Sequence, residues 1–256
     1  MNISTSTSSL PLSKLKSFHV ANIEELDPNM LEECRQNMTS LKEWSIGSCH
    51  WLKSMSGWLQ QMAGLKSLTI RDCKELVLES MRWKPFKNLS DLVMDNLPQL
   101  VSLPLWLQHL VQLKTLEIED CSGLRSLFPV FQYLTSLERL QIINCKELEL
   151  SADDIQIFQD QTSLLSLELH NIPKCRHLSE WLQHLTNLKS LGLVNLPNLA
   201  SLPDEMRSLT TLEYLHINDI PQLEERCEKD IGADWHKIAH IPRIWMNGVG
   251  ASYPIL

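Results

Sequence analysis

The chain has 256 residues, 43% of them apolar and 21% charged, with a net charge of −8. That composition supports a large buried core and excludes wholesale disorder. The acidic balance disfavours nucleic acid and anionic membranes, because phosphate binding needs clustered Lys and Arg, and no apolar run is long enough for a membrane span.

Between Met1 and Ser9, six residues are Ser or Thr, and no charged-then-apolar signal pattern is present. Residues 1–11 are therefore expected to be a disordered start. Seven cysteines, an odd number without paired spacing, fit a reducing compartment better than a disulfide framework. The expected location is cytoplasmic.

From Leu12 onward the chain repeats. The segment Leu110-Val-Gln-Leu113-Lys-Thr-Leu116-Glu-Ile118-Glu-Asp-Cys121-Ser-Gly-Leu124 has apolar residues at offsets 0, 3, 6, 8, 11 and 14. The same template begins at Leu12, Met38, Met62, Phe86, Leu110, Leu134, Gln161, Leu185 and Leu209, in steps of 26, 24, 24, 24, 24, 27, 24 and 24 residues. Of 54 template positions, 53 are apolar; only Gln161 breaks the pattern. Offsets 6 and 8 alternate, so they point inward from a short strand. Offset 10 is Asn or Asp in eight of nine copies, where a short polar side chain satisfies backbone groups as the chain turns out of the strand.

The remaining part of each copy reads as helical or irregular. Asp27-Pro28 before Asn29 to Asn37 looks like an N-cap followed by proline at the first helical position. Leu103, Trp106, Leu107 and Leu110 fall at helical spacing, with Trp58 and Trp181 in the place of Trp106. Ser151-Ala-Asp-Asp154 approximates a capping box opening a helix toward Gln159. One coil cannot bury its own apolar face, whereas nine stacked coils share a continuous core.

This pattern resembles the leucine-rich repeat, L-x-x-L-x-x-L-x-L-x-x-C/N. The fold expected is an α/β solenoid of about nine repeats over residues 12–226. It has a parallel concave sheet and a helical or irregular convex side. Residues 227–256 form a cap and tail, with Trp235, Ile238 and Ile241 turned to the last coil.

Offsets 5, 7 and 9 face outward on the concave side, 27 residues in nine copies. Among them Glu43, Asp91, Asp95, Glu117, Glu119 and Glu168 outnumber Arg71 and Arg139. The strand register places Arg71, Asp95, Glu119 and Ile143 in one row. This acidic patch is the candidate surface for a basic partner, or else a solvated strand surface. Val93, Ile143, Val194 and Tyr214 are apolar anchors on the same face, and His170 and His216 complete the candidate set.

Nothing arranges a nucleophile, a base and an oxyanion donor, so the chain is not expected to be an enzyme. No G-x-S-x-G and no phosphate loop occur, and no cofactor is expected. Cys49, Cys73, Cys121 and Cys145 share offset 11 and read as core filling. His236-Lys-Ile-Ala-His240 carries Lys237 where a zinc protease motif needs Glu, and no metal site is expected. His109 and His184 share one repeat position.

The segment Pro221-Gln-Leu-Glu-Glu-Arg-Cys-Glu-Lys-Asp-Ile-Gly-Ala-Asp-Trp-His-Lys-Ile-Ala-His-Ile-Pro242 is the most specific string. With Leu103 to Leu107, Asp72-Cys73, Asp120-Cys121, Asn96 to Pro98 and Asn195 to Pro197, it resembles the C-terminal repeat domain of plant coiled-coil nucleotide-binding leucine-rich repeat resistance proteins. The resemblance covers residues 12–245. It implies recognition of a pathogen effector or a guarded host protein, or restraint of the receptor's own nucleotide-binding domain. The switch motifs lie outside this sequence, so a C-terminal portion or a truncated form is expected. A stand-alone repeat scaffold or inhibitor binding through the same face is the alternative.

Overall fold

The computed structural model describes residues 15–22, 40–49, 62–78, 86–127, 129–150, 162–178 and 180–246. The expected disordered start and the helices expected over Asn29 to Asn37 and Ser151 to Gln159 lie outside these residues, as does Trp58.

Ten short parallel strands form one sheet in chain order. They are β1 (Ser17–Ala21), β2 (Glu43–Gly47), β3 (Ser67–Arg71), β4 (Asp91–Asp95), β5 (Thr115–Glu119), β6 (Arg139–Ile143), β7 (Ser166–His170), β8 (Ser190–Val194), β9 (Tyr214–Asn218) and β10 (Arg243–Met246). Every pairing joins equal offsets, as in Leu92 to Leu116, Leu116 to Leu140 and Leu140 to Leu167. The inward leucines therefore stack into a column, and Leu68, Leu92, Leu116 and Leu140 are all buried. The alternating pattern read from offsets 6 and 8 is the one observed: β5 buries Leu116 and Ile118 and turns Thr115, Glu117 and Glu119 outward.

The turn after each strand shows why offset 10 is Asn or Asp. All nine residues at this offset adopt left-handed backbone, with φ between 48 and 58°. A β-carbon makes that region costly, and Asn and Asp tolerate it best among residues other than Gly. In this conformation the backbone N–H points at the next coil: Asp72 N donates to Asp95 O at 3.0 Å and Asn171 N to Val194 O at 3.0 Å. The side chains link as well. Asn96 Nδ2 donates to Asp72 Oδ1 at 2.7 Å, Asn171 Nδ2 to Asn144 Oδ1 at 2.5 Å, and Asn195 Nδ2 to Asn171 Oδ1 at 2.7 Å. Asn171→Val is expected to cost about 1–3 kcal/mol, since it loses both the ladder and the tolerated conformation. Asn171→Gly, which keeps only the conformation, should fall between it and the parent in a urea titration; a midpoint for Asn171→Gly equal to the parent's would show that the amide ladder contributes nothing.

Offset 11 follows with Cys, Leu or Ile. The thiols of Cys49 and Cys73 donate to the carbonyls of Gly47 and Arg71 at 3.2 and 3.3 Å. Burial pushes the Cys73 thiol up to about 11 and the Cys121 and Cys145 thiols up to about 12, so they stay protonated and act as packing groups. Among the described residues, no three His, Cys, Asp or Glu side chains gather as a metal-ligand group.

Among the described residues, the convex side carries short 3₁₀ elements. Leu105–His109, Phe131–Tyr133, Glu180–His184 and Asp204–Ser208 are 3₁₀ helices. The spacing of Leu103, Trp106, Leu107 and Leu110 suits a helix of either kind. A coil of 24 residues that must also supply a strand and two turns leaves few residues there, and the tighter, longer-rising 3₁₀ form spans the gap with fewer. Trp106 fills the space beneath and donates from Nε1 to the Leu78 carbonyl at 3.0 Å.

The end of the array is more elaborate than a plug. Two short helices, α1 (Pro221–Arg226) and α2 (Trp235–Ile238), cross the last coil, and the chain then re-enters the sheet as β10. Ile238, Ile241, Ile244 and Met246 repeat offsets 0, 3, 6 and 8, with Ile238 and Ile241 buried. A tenth, partial copy thus begins 29 residues after Leu209, within the segment read as cap. Asp234, fully buried, ties α1 and α2 to the solenoid. Its carboxylate accepts from Arg226 Nε and Nη2, both at 2.9 Å, and from the Leu202 N–H at 3.0 Å. It also pairs with Lys237 Nζ at 3.0 Å. Lys237 in turn donates to the Leu202 carbonyl at 2.6 Å.

Candidate protein-recognition face

The fourteen candidate residues all lie on one side of the sheet, but they form two groups, an outlier and an intervening pair rather than one site. Glu43 is the outlier: it sits at the start of β2 and accepts from Ser17 Oγ at 2.6 Å, two strands away from the nearest other candidate carboxylate.

The first group spans β3 to β5. Equal-offset pairing sets Arg71 beside Asp95 and Asp95 beside Glu119. Arg71 Nε lies 3.3 Å from Asp95 Oδ2, with the Arg71 side chain 53% exposed, so the pair is screened and contributes little. One guanidinium cannot neutralise this neighbourhood. Partial burial raises the Asp95 carboxyl above its ordinary value; Arg71 pulls it down, and Asp72 and Asp120 push it up. Burial likewise raises Glu119, followed by Asp95 and Asp120, against a smaller pull from Arg71. Asp91, held by Ser90 Oγ at 2.5 Å, and Glu117 flank them, and Val93 supplies apolar surface between.

The sign of the pH effect follows. A carboxyl whose folded-state value is raised costs stability once ionised. Stability is therefore lost as pH rises from the ordinary carboxylate range through the raised values. Asp95→Asn is expected to lower the Glu119 value, and Glu119→Gln to leave stability at neutral pH unchanged or higher, by about 0.2–1 kcal/mol. Carboxyl NMR titration with thermal melting checks this; a destabilised variant would mean that Glu119 makes a contact that offsets the repulsion.

The second group lies on β7 to β9. His170 Nε2 is 3.0 Å from Glu168 Oε2. The Glu168 carboxylate lies over Gly192 on the next strand, where any β-carbon would collide with it. It thereby reaches toward His216, whose register partner is Gly192. Burial pushes the His216 imidazole down, Glu168 draws it partly back up, and His170 pushes it down. Tyr214 stands at the start of β9 and Val194 at the end of β8. Arg139 and Ile143, on β6, separate the two groups.

Two further residues share this face. Arg243 pairs in register with Tyr214, and Trp245 with His216. The Tyr214 and Trp245 rings stack, 5.7 Å between centroids and 14° between planes. The Arg243 guanidinium lies 4.8 Å from the Tyr214 ring centre and donates to its hydroxyl. The signal for both was the period-two alternation Arg243-Ile-Trp-Met246.

A parallel sheet with one offset per row, left-handed Asn and Asp turns and 3₁₀ returns defines a leucine-rich repeat solenoid. Such an array presents its outward strand residues as a ready-made contact surface. Residues 86–231, more than half of the chain, match the family described as plant disease resistance protein RPS2-like, leucine-rich repeats, and the chain belongs to that family. Comparison with curated sequences gives no match. Among solved structures, the leucine-rich repeat domain of the type III effector XCV3220 (XopL) is similar at 21% identity and a TM-score of 0.48, over 73% of this chain and 71% of that one. A chain in the crystal structure of a TLR13–ssRNA13 complex is similar at 17% identity and a TM-score of 0.51, over 80% of this chain but 33% of that one. The latter likeness is one of fold. Among the described residues, no helix is long and apolar enough to cross a membrane.

Proposed function

We propose that this repeat array is the recognition module of a plant innate-immune receptor, acting inside the cell and without catalysis of its own. It engages a pathogen effector, a guarded host protein or the receptor's own nucleotide-binding domain. The observation that carries the reading is the family match over residues 86–231. It is joined by a concave face whose charge is concentrated at Asp91, Asp95, Glu117 and Glu119. A basic partner surface is the complement to that patch, and complementary charge governs specificity and encounter rate more than affinity.

Replacing those four residues with Ser, in a receptor carrying this array, is expected to weaken co-precipitation of the partner at least about fivefold, more at low salt. The melting temperature should hold or rise, since the variant relieves repulsion. Unchanged capture would remove the patch from the account. An immunoblot of plant extract with an antibody to Glu224–His236 tests the receptor setting: a species at 29.5 kDa alone would favour a stand-alone scaffold or inhibitor.

A further inference from the structure

We propose that the β9–β10 end of the concave face is a second contact site of opposite character. It receives an acidic side chain set beside an aromatic ring or proline of the partner protein. This rests on the concave-face reading above and adds a direction to it.

Three observations converge. Tyr214 and Trp245 form a stacked platform, the one described aromatic pair on the outward side of the sheet. Stacked rings give a large, rigid contact at low entropic cost, and they favour another ring or a proline laid against them. Arg243, exposed, has its guanidinium spent on the Tyr214 ring and hydroxyl rather than on a carboxylate. A cation pre-oriented in this way is suited to an incoming carboxylate. Finally, β8, β9 and β10 contribute no outward carboxylate of their own, and the Glu168 carboxylate that reaches over Gly192 from β7 is already engaged by His170, whereas β4 and β5 contribute four, Asp91, Asp95, Glu117 and Glu119.

The face is thus polarised along the solenoid. Between the acidic rows and the platform lie five strand spacings, about 24 Å. An extended segment of roughly seven residues spans that distance. A partner with a basic end and an acidic-aromatic end fits in one direction; the reverse placement sets like charges together at both ends.

The test uses three fluorescein-labelled peptides and the full chain. One is Glu-Asp-Trp-Pro-Glu-Asp, one has Ala in place of its Trp, and one is Lys-Arg-Trp-Pro-Lys-Arg. Fluorescence anisotropy is expected to show binding of the first, weakened at least about fivefold by Trp245→Ala and by Arg243→Gln. The peptide lacking Trp should bind more weakly by a similar factor. Asp95→Asn with Glu119→Gln should leave the first peptide within about twofold and weaken the basic one. Arg243 is exposed, so its variant tests the site even if Trp245→Ala unfolds the last strand. Absence of binding by the acidic peptide, or equal binding by Arg243→Gln, overturns the proposal. If the acidic peptide fails to bind while the basic one binds through Asp95 and Glu119, the second site falls and the acidic-patch reading stands. If no peptide binds, the concave-face reading fails with it.

Discussion

Asp234→Ala is expected to destabilise the C-terminal coils by about 3–5 kcal/mol, the cost of removing one partner from a buried ion pair. Arg226 can turn to solvent. Lys237, 13% exposed, cannot do so freely, and the Leu202 N–H loses its acceptor. The loss should appear first as accelerated amide exchange in β9 and β10, because a solenoid transmits stability only between neighbours. The pH dependence has a definite sign. Burial opposes ionisation of Asp234, but Arg226, Leu202 and Lys237 together hold its carboxyl down at about 2, against 3.8 ordinarily. Its contribution is fully present above the ordinary value and is lost as pH falls toward about 2. That window runs opposite to the one expected for Asp95 and Glu119. Acid titrations of the parent and Asp234→Ala should converge below this range. Parallel curves would show that the buried carboxylate is not the cause.

Leu116→Asp is expected to have the larger effect. Leu116 is fully buried and lies between Leu92 and Leu140 in the leucine column. Leu116→Ala should cost about 2–5 kcal/mol through lost burial and the cavity left behind. The Asp variant adds an unpaired charge, which the site cannot solvate without opening. Because coupling is between neighbours, β4 to β6 should lose protection together while β8 and β9 keep theirs. Hydrogen exchange resolves this pattern. A uniform loss along the array would mean that the coils unfold as one unit.

The parts of the fold that were legible are those imposed by periodicity. The leucines at offset 3 and the inward pairs such as Leu116 and Ile118 declare strand and coil together, because burial on one side demands a fixed repeat. Equal offsets then predict the row of Arg71, Asp95 and Glu119 without coordinates. Asn171 and its equivalents were legible as turn formers. Their left-handed backbone and amide ladder needed the structure, since a sequence shows residue type and not φ.

Two features were hidden for different reasons. Arg243 and Trp245 follow a longer step than any within the array, so their strand was not read within the segment 227–256. The placement of Glu168 over Gly192 depends on a side chain leaning to the next strand, which spacing does not encode. Nothing in the spacing marks Asp234 for burial; only folding α1 and α2 against Leu202 removes it from water. Of the candidate surface, the acidic rows were foreseen whole, and the aromatic end only through Tyr214 and His216.

Equal-offset pairing along all ten strands has one more consequence. Every coil presents the same edges to the coil before it and the coil after it, so the array is indifferent to how many there are. Duplicating or deleting one whole 24-residue unit between the two ends, such as 185–208, would rejoin leucine to leucine and turn to turn. The frame survives, and only the distance between the acidic rows and the aromatic end changes, by about 5 Å per unit. Length is therefore a dial on the recognition surface that can be turned without redesigning the core.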